Sequence, residues 1–206
     1  NKEPIVVGAQ ASSRSYLVGP VTAGKWHVVI GKAKVVTAPA KYRLEIELRT
    51  AATLPAQTDR KPYVAAAPLA TTARWYAGDF HVHSRESGDA DPTLDEIAAF
   101  ARGRGLDFVE LSDHNTVSHL DLIVTAQAKS ADVLFLPGVE FTTYAGHANG
   151  IGATKHVDHL FGIDGWTFDA AAKAFADHAA LLATNHPLPA PGPSGNGCPR
   201  EHRVPT

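Results

Sequence analysis

Short apolar runs that finish at histidine or carboxylate residues recur between residues 75 and 187. Segments with the 3.6-residue apolar spacing of helices lie between them. The predicted strands are GDFHVH, LDFVELS, ADVLFLPG, the pair VEFTTYAG and ANGIG, and LLATNHP, and the predicted helices are DPTLDEIAAFARGRG, TVSHLDLIVTAQAKS and TFDAAAKAFADHAA. This alternation predicts an α/β architecture whose functional side chains lie where strands finish.

The chain before this part has a different pattern. The segment KYRLEIELRT alternates apolar with charged residues, and KWHVVIGKAKVV is a second candidate strand pair. The following segment, rich in Pro, Ala and Thr, has no period and is typical of a linker. We therefore expect a small β-rich, sandwich-like domain over residues 1–70, an α/β domain over residues 71–187, and an irregular Pro/Gly-rich tail over residues 188–206.

His81 and His83 stand two residues apart on the first predicted strand of the α/β part. Residues two apart on a strand point to the same face, with Cβ atoms roughly 6 to 7 Å apart, so both imidazoles can bind one cation. An isolated His-x-His pair is more often two ordinary strand histidines, because short motifs have a high false-positive rate.

The other apolar runs finish in residues of the same kind, which favours a metal centre. Asp113 and His114 follow one run, and Glu140, His147 and His186 lie at or near the ends of later ones. Crowded imidazoles and carboxylates are costly without a cation between them. Their convergence therefore predicts a shared metal site.

The motifs DFHVHSRESGD, ELSDHN, LPGVEF, GHANGIG and NHP resemble, in this order, those of the PHP (polymerase and histidinol phosphatase) superfamily. Together with the β-rich segment GKWHVVIG, they are similar to its carbaryl-hydrolase-like branch of metallohydrolases. The resemblance implies a distorted (β/α)7 barrel with two or three divalent ions, commonly Zn, Mn or Fe, at the carboxyl ends of its strands. The superfamily's last motif, Asp-x-His, has no counterpart before Thr206, so we expect the barrel to be incomplete at its C-terminus.

The resemblance also implies roles for individual residues. It assigns His81 and His83 to one metal, Glu140 as a bridge to a second, His147 and His186 to that second metal, Asp89 and His114 to a third, and Asp113 to orienting its ligating neighbour. Two assignments have alternatives, because Asp91 or Glu86 could replace Asp89, and Asn149 could replace His147.

The remaining histidines show no such convergence. His27, His119, His178 and His202 are interpreted as solvated or structural. His156 and His159 could line the mouth of a pocket, and Cys198 is interpreted as a free thiol in the tail.

The predicted activity is hydrolysis of a phosphoester, carbamate or related ester by a metal-activated water. Motifs for a serine nucleophile or a Gly-rich phosphate loop are absent. Loss of the last motif leaves a second hypothesis, a non-catalytic metal-binding module, and the superfamily name suggests a third, a polymerase-associated nuclease. A urease-type amidohydrolase also begins with His-x-His, but it usually has a carboxylated lysine where this chain has Glu140.

The net charge and the length of the apolar runs limit the kinds of partner that we expect. The formal net charge is −2, from 19 basic and 21 acidic residues, and no apolar run is long enough to span a membrane. We therefore expect a small-molecule substrate and neither nucleic acid nor membrane as a partner. The oligomeric state is left open, and so is the compartment, which is cytoplasmic or, after removal of a leader, periplasmic or secreted.

Overall fold

The computed structural model describes residues 4–31, 35–144, 146–160 and 165–186, and the predicted tail, with His202 and Cys198, lies outside them. The elements in chain order are β1 (Gly78–Val82), α1 (Leu94–Gly103), β2 (Phe108–Leu111), α2 (Leu120–Lys129), β3 (Leu134–Thr142), β4 (His147–Ile151), α3 (Phe168–Asp177) and β5 (Leu181–Thr184). Each strand and helix predicted after residue 75 is thus present. Among these helices, none combines the length and the apolar character needed to cross a membrane.

The strands form one mixed sheet in the order β1-β2-β3-β4-β5. The first three run parallel, and β3, β4 and β5 pair antiparallel. The fold is therefore mixed α/β. Five strands are found in the described part of the chain, so a complete (β/α)7 barrel is not shown there.

Strand β3 joins the two kinds of pairing. Its first half pairs with β2 as far as Pro137, and its second half pairs with β4 from Gly138 onward. Proline has no N–H for a sheet ladder, and Pro137 lies at the point where the partner changes. The predicted strand ADVLFLPG and the first part of the predicted strand VEFTTYAG are therefore one continuous strand, which ends at Thr142.

Helix α1 begins at a capping box. The Thr93 hydroxyl accepts a hydrogen bond from the Glu96 backbone N–H, and the Glu96 carboxylate accepts one from the Thr93 N–H. These reciprocal bonds satisfy N–H groups that a helix start leaves unpaired. They fix the end of the long loop that leads from β1 into α1.

Two apolar clusters hold the sheet and helices together. One packs α1 and α2 against β2 and the start of β3, and includes Ile97, Ile123 and Phe135. The other packs α3 against β3 and the segment after β4, and it includes Phe141, Val157 and Phe175. Apolar packing thus supports both the parallel and the antiparallel half of the sheet. The carboxyl ends of β1, β2 and β3 are left for polar side chains.

The strands predicted before residue 70 are not found. Residues 4–31 and 35–77 contain neither helix nor strand. In KYRLEIELRT the side chains of Ile46 and Leu48 are 70% and 89% exposed. An alternating pattern forms a stable strand only when a neighbouring strand bonds it and an apolar layer covers it, and the described part of the chain provides neither for this segment. The described residues thus provide no strand for the β-rich domain expected over residues 1–70, and the division of the chain into domains stays a prediction.

Candidate metal centre

Glu140 lies at the centre of the predicted site. It belongs to β3, and its side chain is 1% exposed. Its Oε2 atom lies 3.2 Å from His81 Nε2, 3.1 Å from His83 Nε2 and 3.1 Å from His114 Nδ1. The three histidines come from β1, the residue after it, and the turn after β2, which all end at this edge of the parallel part of the sheet.

The other carboxylate oxygen faces the antiparallel half. Glu140 Oε1 lies 3.1 Å from His147 Nδ1 and 3.0 Å from His186 Nε2, and it accepts a hydrogen bond of 3.0 Å from Asn185 Nδ2. His147 begins β4, whose start lies beside the end of β3 because the two strands are antiparallel. His186 follows the end of β5 at the same edge.

The sheet is strongly curled at this edge. In a flat sheet of five strands, four spacings of about 4.8 Å would put β1 and β5 roughly 19 Å apart. The ring centroids of His81, from β1, and His186, just after β5, are 5.7 Å apart and stacked. Curvature therefore brings both edges of the sheet to the same carboxylate.

The donor atoms fit divalent cations. His81 Nε2 and His83 Nε2 are 3.0 Å apart and face one oxygen. Imidazole nitrogen and carboxylate oxygen are the ligands that zinc and related transition metals take. In three groups the candidate ligand atoms all lie within 4.8 Å of one another: His81, His83 and Glu140; His83, Asp89 and His114; and His114, Glu140 and His147.

The electrostatics favour an ionised carboxylate at the centre. Burial acts to raise the pKa of Glu140, but hydrogen bonds from His147, His81 and His83 outweigh it and hold that pKa well below its usual range. Burial lowers the pKa of His114, so its imidazole is neutral near pH 7. A neutral imidazole beside a carboxylate is the protonation state that a metal ligand requires.

Asp89 reaches the cluster from the loop between β1 and α1. Its Oδ1 lies 3.4 Å from His83 Nδ1, and its Oδ2 lies 3.3 Å from His114 Nε2. The two alternatives point elsewhere, because Asp91 pairs with Arg14 and the buried Glu86 pairs with Arg60. Asp89 is therefore the carboxylate of this loop that lies beside the histidines.

Asp113 is fully buried and has contacts of a different kind from those expected. It accepts hydrogen bonds of 2.6 Å from both the backbone N–H and the hydroxyl of Ser84, and it lies 3.0 Å from His119 Nδ1. The bonds from Ser84 fix the segment that follows His83, and that the buried His119 is structural stays a prediction. That Asp113 orients His114 stays a prediction.

Two side chains that touch the cluster, Asn185 and Ser87, are not among the residues predicted from the sequence. Asn185 bonds Glu140, and the Ser87 hydroxyl lies 3.0 Å from His83 Nδ1 and donates to Asp89 at 2.5 Å. Their positions next to His186 and two residues before Asp89 are the only sequence signals they carry.

The histidines interpreted as structural lie apart from the cluster. His27 is exposed, and His178 follows the last turn of α3. His156 and His159 contact each other, with ring centroids 5.7 Å apart. That this second pair lines a pocket mouth stays a prediction.

Another residue that was not predicted from the sequence is Glu110, a fully buried acid in β2. Its Oε2 accepts a hydrogen bond of 2.9 Å from Asn149 Nδ2, and Asn149 also donates to the carbonyl of Phe80. Asn149 is therefore a hydrogen-bond donor to Glu110, whereas His147 is the residue of β4 that faces Glu140. Burial raises the pKa of Glu110 to about 8. An acid in the middle of the apolar run LDFVELS was the available signal.

We expect Glu110→Gln to change the pH dependence of stability. The folded pKa of about 8 exceeds the ordinary value of 4.5, so between these pH values the unfolded chain ionises while the folded carboxyl keeps its proton. The free energy of unfolding of the wild type therefore falls across that window, by at most about 5 kcal/mol, whereas glutamine does not titrate. Urea unfolding with chelator present at about pH 5 and about pH 8 measures the difference. Parallel pH profiles for the two proteins would contradict it.

Comparisons with known proteins give a distant likeness. No protein-family model matches the chain, and no curated protein matches it significantly. One solved structure that it resembles is a two-domain protein from Bacteroides vulgatus described as containing a predicted PHP-like metal-dependent phosphoesterase. The identity is 24% and the TM-score is 0.40, over 62% of this chain and 39% of that one. This chain therefore spans about two fifths of that protein, and the likeness is too remote to assign an activity.

Proposed function

We propose that this chain is a metal-dependent hydrolase whose cations are held around Glu140. The observation that carries the proposal is the division of the Glu140 carboxylate. One oxygen faces His81 and His83, and the other faces His147 and His186. A carboxylate arranged in this way suits a bridge between two cations.

The proposed ligand sets follow this division. His81 and His83 would hold one ion together with Glu140, His147 and His186 would hold a second with the same carboxylate, and Asp89 and His114 would hold a third. Zn, Mn and Fe are all compatible with imidazole and carboxylate donors. Bound cations would supply Lewis-acid activation of a water molecule and of the scissile bond's oxygen.

The protein's own residues orient these ligands. Asp89 faces the Nδ1 atom of His83, the nitrogen opposite the one that faces Glu140, and such a carboxylate fixes the ring's tautomer and direction. Ser87 has a hydroxyl near a histidine, but the residue is fully buried and the hydroxyl donates to Asp89. It is therefore a support for the ligands and not a nucleophile.

The substrate we propose is a small phosphoester or a carbamate or related ester. Phosphoesters suit a site with several cations, because the cations neutralise the charge of the group being transferred. A cavity of about 510 Å³ borders His83 and is lined mainly by apolar side chains, including Val82, Ile97 and Phe100. It offers space for an organic group beside the cluster.

The proposal is tested with chelator-treated protein and added Mn, Zn or Fe. We expect two or three bound ions per chain by elemental analysis, together with metal-stimulated hydrolysis of p-nitrophenyl phosphate or an aryl carbamate. Chelator-treated protein without added metal is the control. One tightly bound ion with no turnover of either substrate would instead support a non-catalytic metal-binding module.

A further inference from the structure

Arg60 is a buried cation outside the cluster. Its side chain is 6% exposed, and its guanidinium bonds Glu86 Oε1 at 2.9 Å and Asp121 Oδ1 at 2.7 Å. It also donates to the Ser118 carbonyl at 2.7 Å and to Gln57 Oε1 at 3.1 Å. One side chain from the stretch before residue 70 thus reaches α2, the turn before α2, and the loop between β1 and α1.

Glu86 is the counterpart of Arg60 within that loop. Its side chain is 3% exposed, and its Oε2 accepts from the Ser118 hydroxyl at 2.8 Å and from the Ser15 N–H at 3.2 Å. The Ser15 hydroxyl donates to the Glu86 carbonyl at 2.6 Å. Glu86 is therefore bonded to two separate segments of the chain before residue 70.

A second arginine from the chain before residue 70 also forms hydrogen bonds with this loop. Arg14 donates to the carbonyls of Ser87 and Ala90, on either side of Asp89. Residues 84–92 contain no helix or strand, and the Asp89 side chain is 57% exposed. A carboxylate on an irregular, exposed loop needs such contacts to be held beside His83 and His114.

The burial of this ion pair is itself informative. Apolar side chains of similar volume stabilise a fold as well as a buried ion pair does, so the pair is poorly explained by stability alone. Its directional bonds instead specify one conformation of the backbone around Glu86, three residues before Asp89. Glu86 has no role at the cluster, because both of its oxygens are bonded elsewhere.

We infer that Arg60 and Glu86 are positioning residues for Asp89, so that the cation position proposed for Asp89 and His114 depends on chain segments before residue 70. The inference rests on the proposed metal centre, but it is tested by cation binding and not by hydrolysis. It makes the early chain part of the site, in contrast to the separate β-rich domain expected from its sequence.

The experiment compares cation binding by the full chain and by Arg60→Ala, using equilibrium dialysis against Mn or Zn and elemental analysis. We expect one ion per chain to bind about 10-fold to 100-fold more weakly in the variant, while the others bind as in the wild type. The triple variant Arg60→Met, Glu86→Leu and Asp121→Asn removes the arginine together with both of its carboxylate partners, so no charge of this group is left unpaired, and it should show the same selective loss. Arg74→Ala, which breaks a pair with Asp107 away from the loop, is the matched control.

A mutant cycle separates positioning from general stability. If Arg60 acts through Asp89, Asp89→Ala and Arg60→Ala weaken the same ion, and the combined variant is no weaker than Asp89→Ala alone. Additive losses, or folded variants with wild-type cation affinity at every position, would overturn the inference. A wild-type protein that binds no cation would overturn the proposed function instead.

Discussion

Replacing Glu140 by glutamine should remove at least one bound cation and reduce metal-stimulated hydrolysis by at least about 100-fold. The reason is the position of this carboxylate, which offers one oxygen to each half of the histidine cluster. Glutamine keeps the shape but has no charge, and its amide nitrogen cannot bind a cation. Removing a bridging ligand costs more than the 10-fold to 100-fold typical of a group that only supports a ligand.

Elemental analysis and the p-nitrophenyl phosphate assay check this expectation together. Glu47→Gln is a suitable control, since Glu47 is exposed and pairs only with Arg49 among the described residues. Wild-type cation content and turnover in Glu140→Gln would mean that the metal centre is not at this carboxylate.

Gly138→Ala should unfold the protein or destabilise it by about 3 kcal/mol or more. A Cβ atom at position 138 would lie 1.3 Å from Oε1 of Glu110, which is fully buried. Neither group can give way, because Gly138 is in the middle of β3 and Glu110 is held by Asn149. The glycine therefore provides the space that the buried acid fills.

A second substitution tests this explanation. Adding Glu110→Ala to Gly138→Ala removes the atoms in conflict and should restore part of the lost free energy of unfolding, as measured in urea. Gly88→Ala is the control, because a Cβ atom there would meet nothing within 4 Å. No recovery in the double variant would indicate that the glycine is needed for a different reason.

The α/β half of the fold could be predicted because its signals are local. Apolar spacing and boundary residues such as Pro92 and Gly105 identify helices and strands without knowledge of their partners. The candidate ligands could be predicted to converge because parallel strands finish at one edge of a sheet. His147 lies at the start of its strand, and it reaches the same edge of the sheet only because β3 and β4 pair antiparallel.

Features that depend on tertiary partners could not be predicted from pattern alone. The alternation in KYRLEIELRT indicates which face could be buried, but not whether another layer covers that face, and among the described residues none does. The choice among Glu86, Asp89 and Asp91 depended on Arg60 and Arg14, which lie 26 and 77 residues before their respective partners. Sequence spacing carries no information about contacts of that length.

Because its pairing partner changes at Pro137, β3 is the strand that connects the parallel half of the sheet to the antiparallel half. His81, His83 and His114 come from the side of β3 that pairs with β2, whereas His147 and His186 come from the side that pairs with β4. Cations shared across Glu140 would tie these two halves by ligand bonds in addition to the ladder. Metal occupancy would then stabilise the native state by mass action, because the ligands come together only in the folded chain.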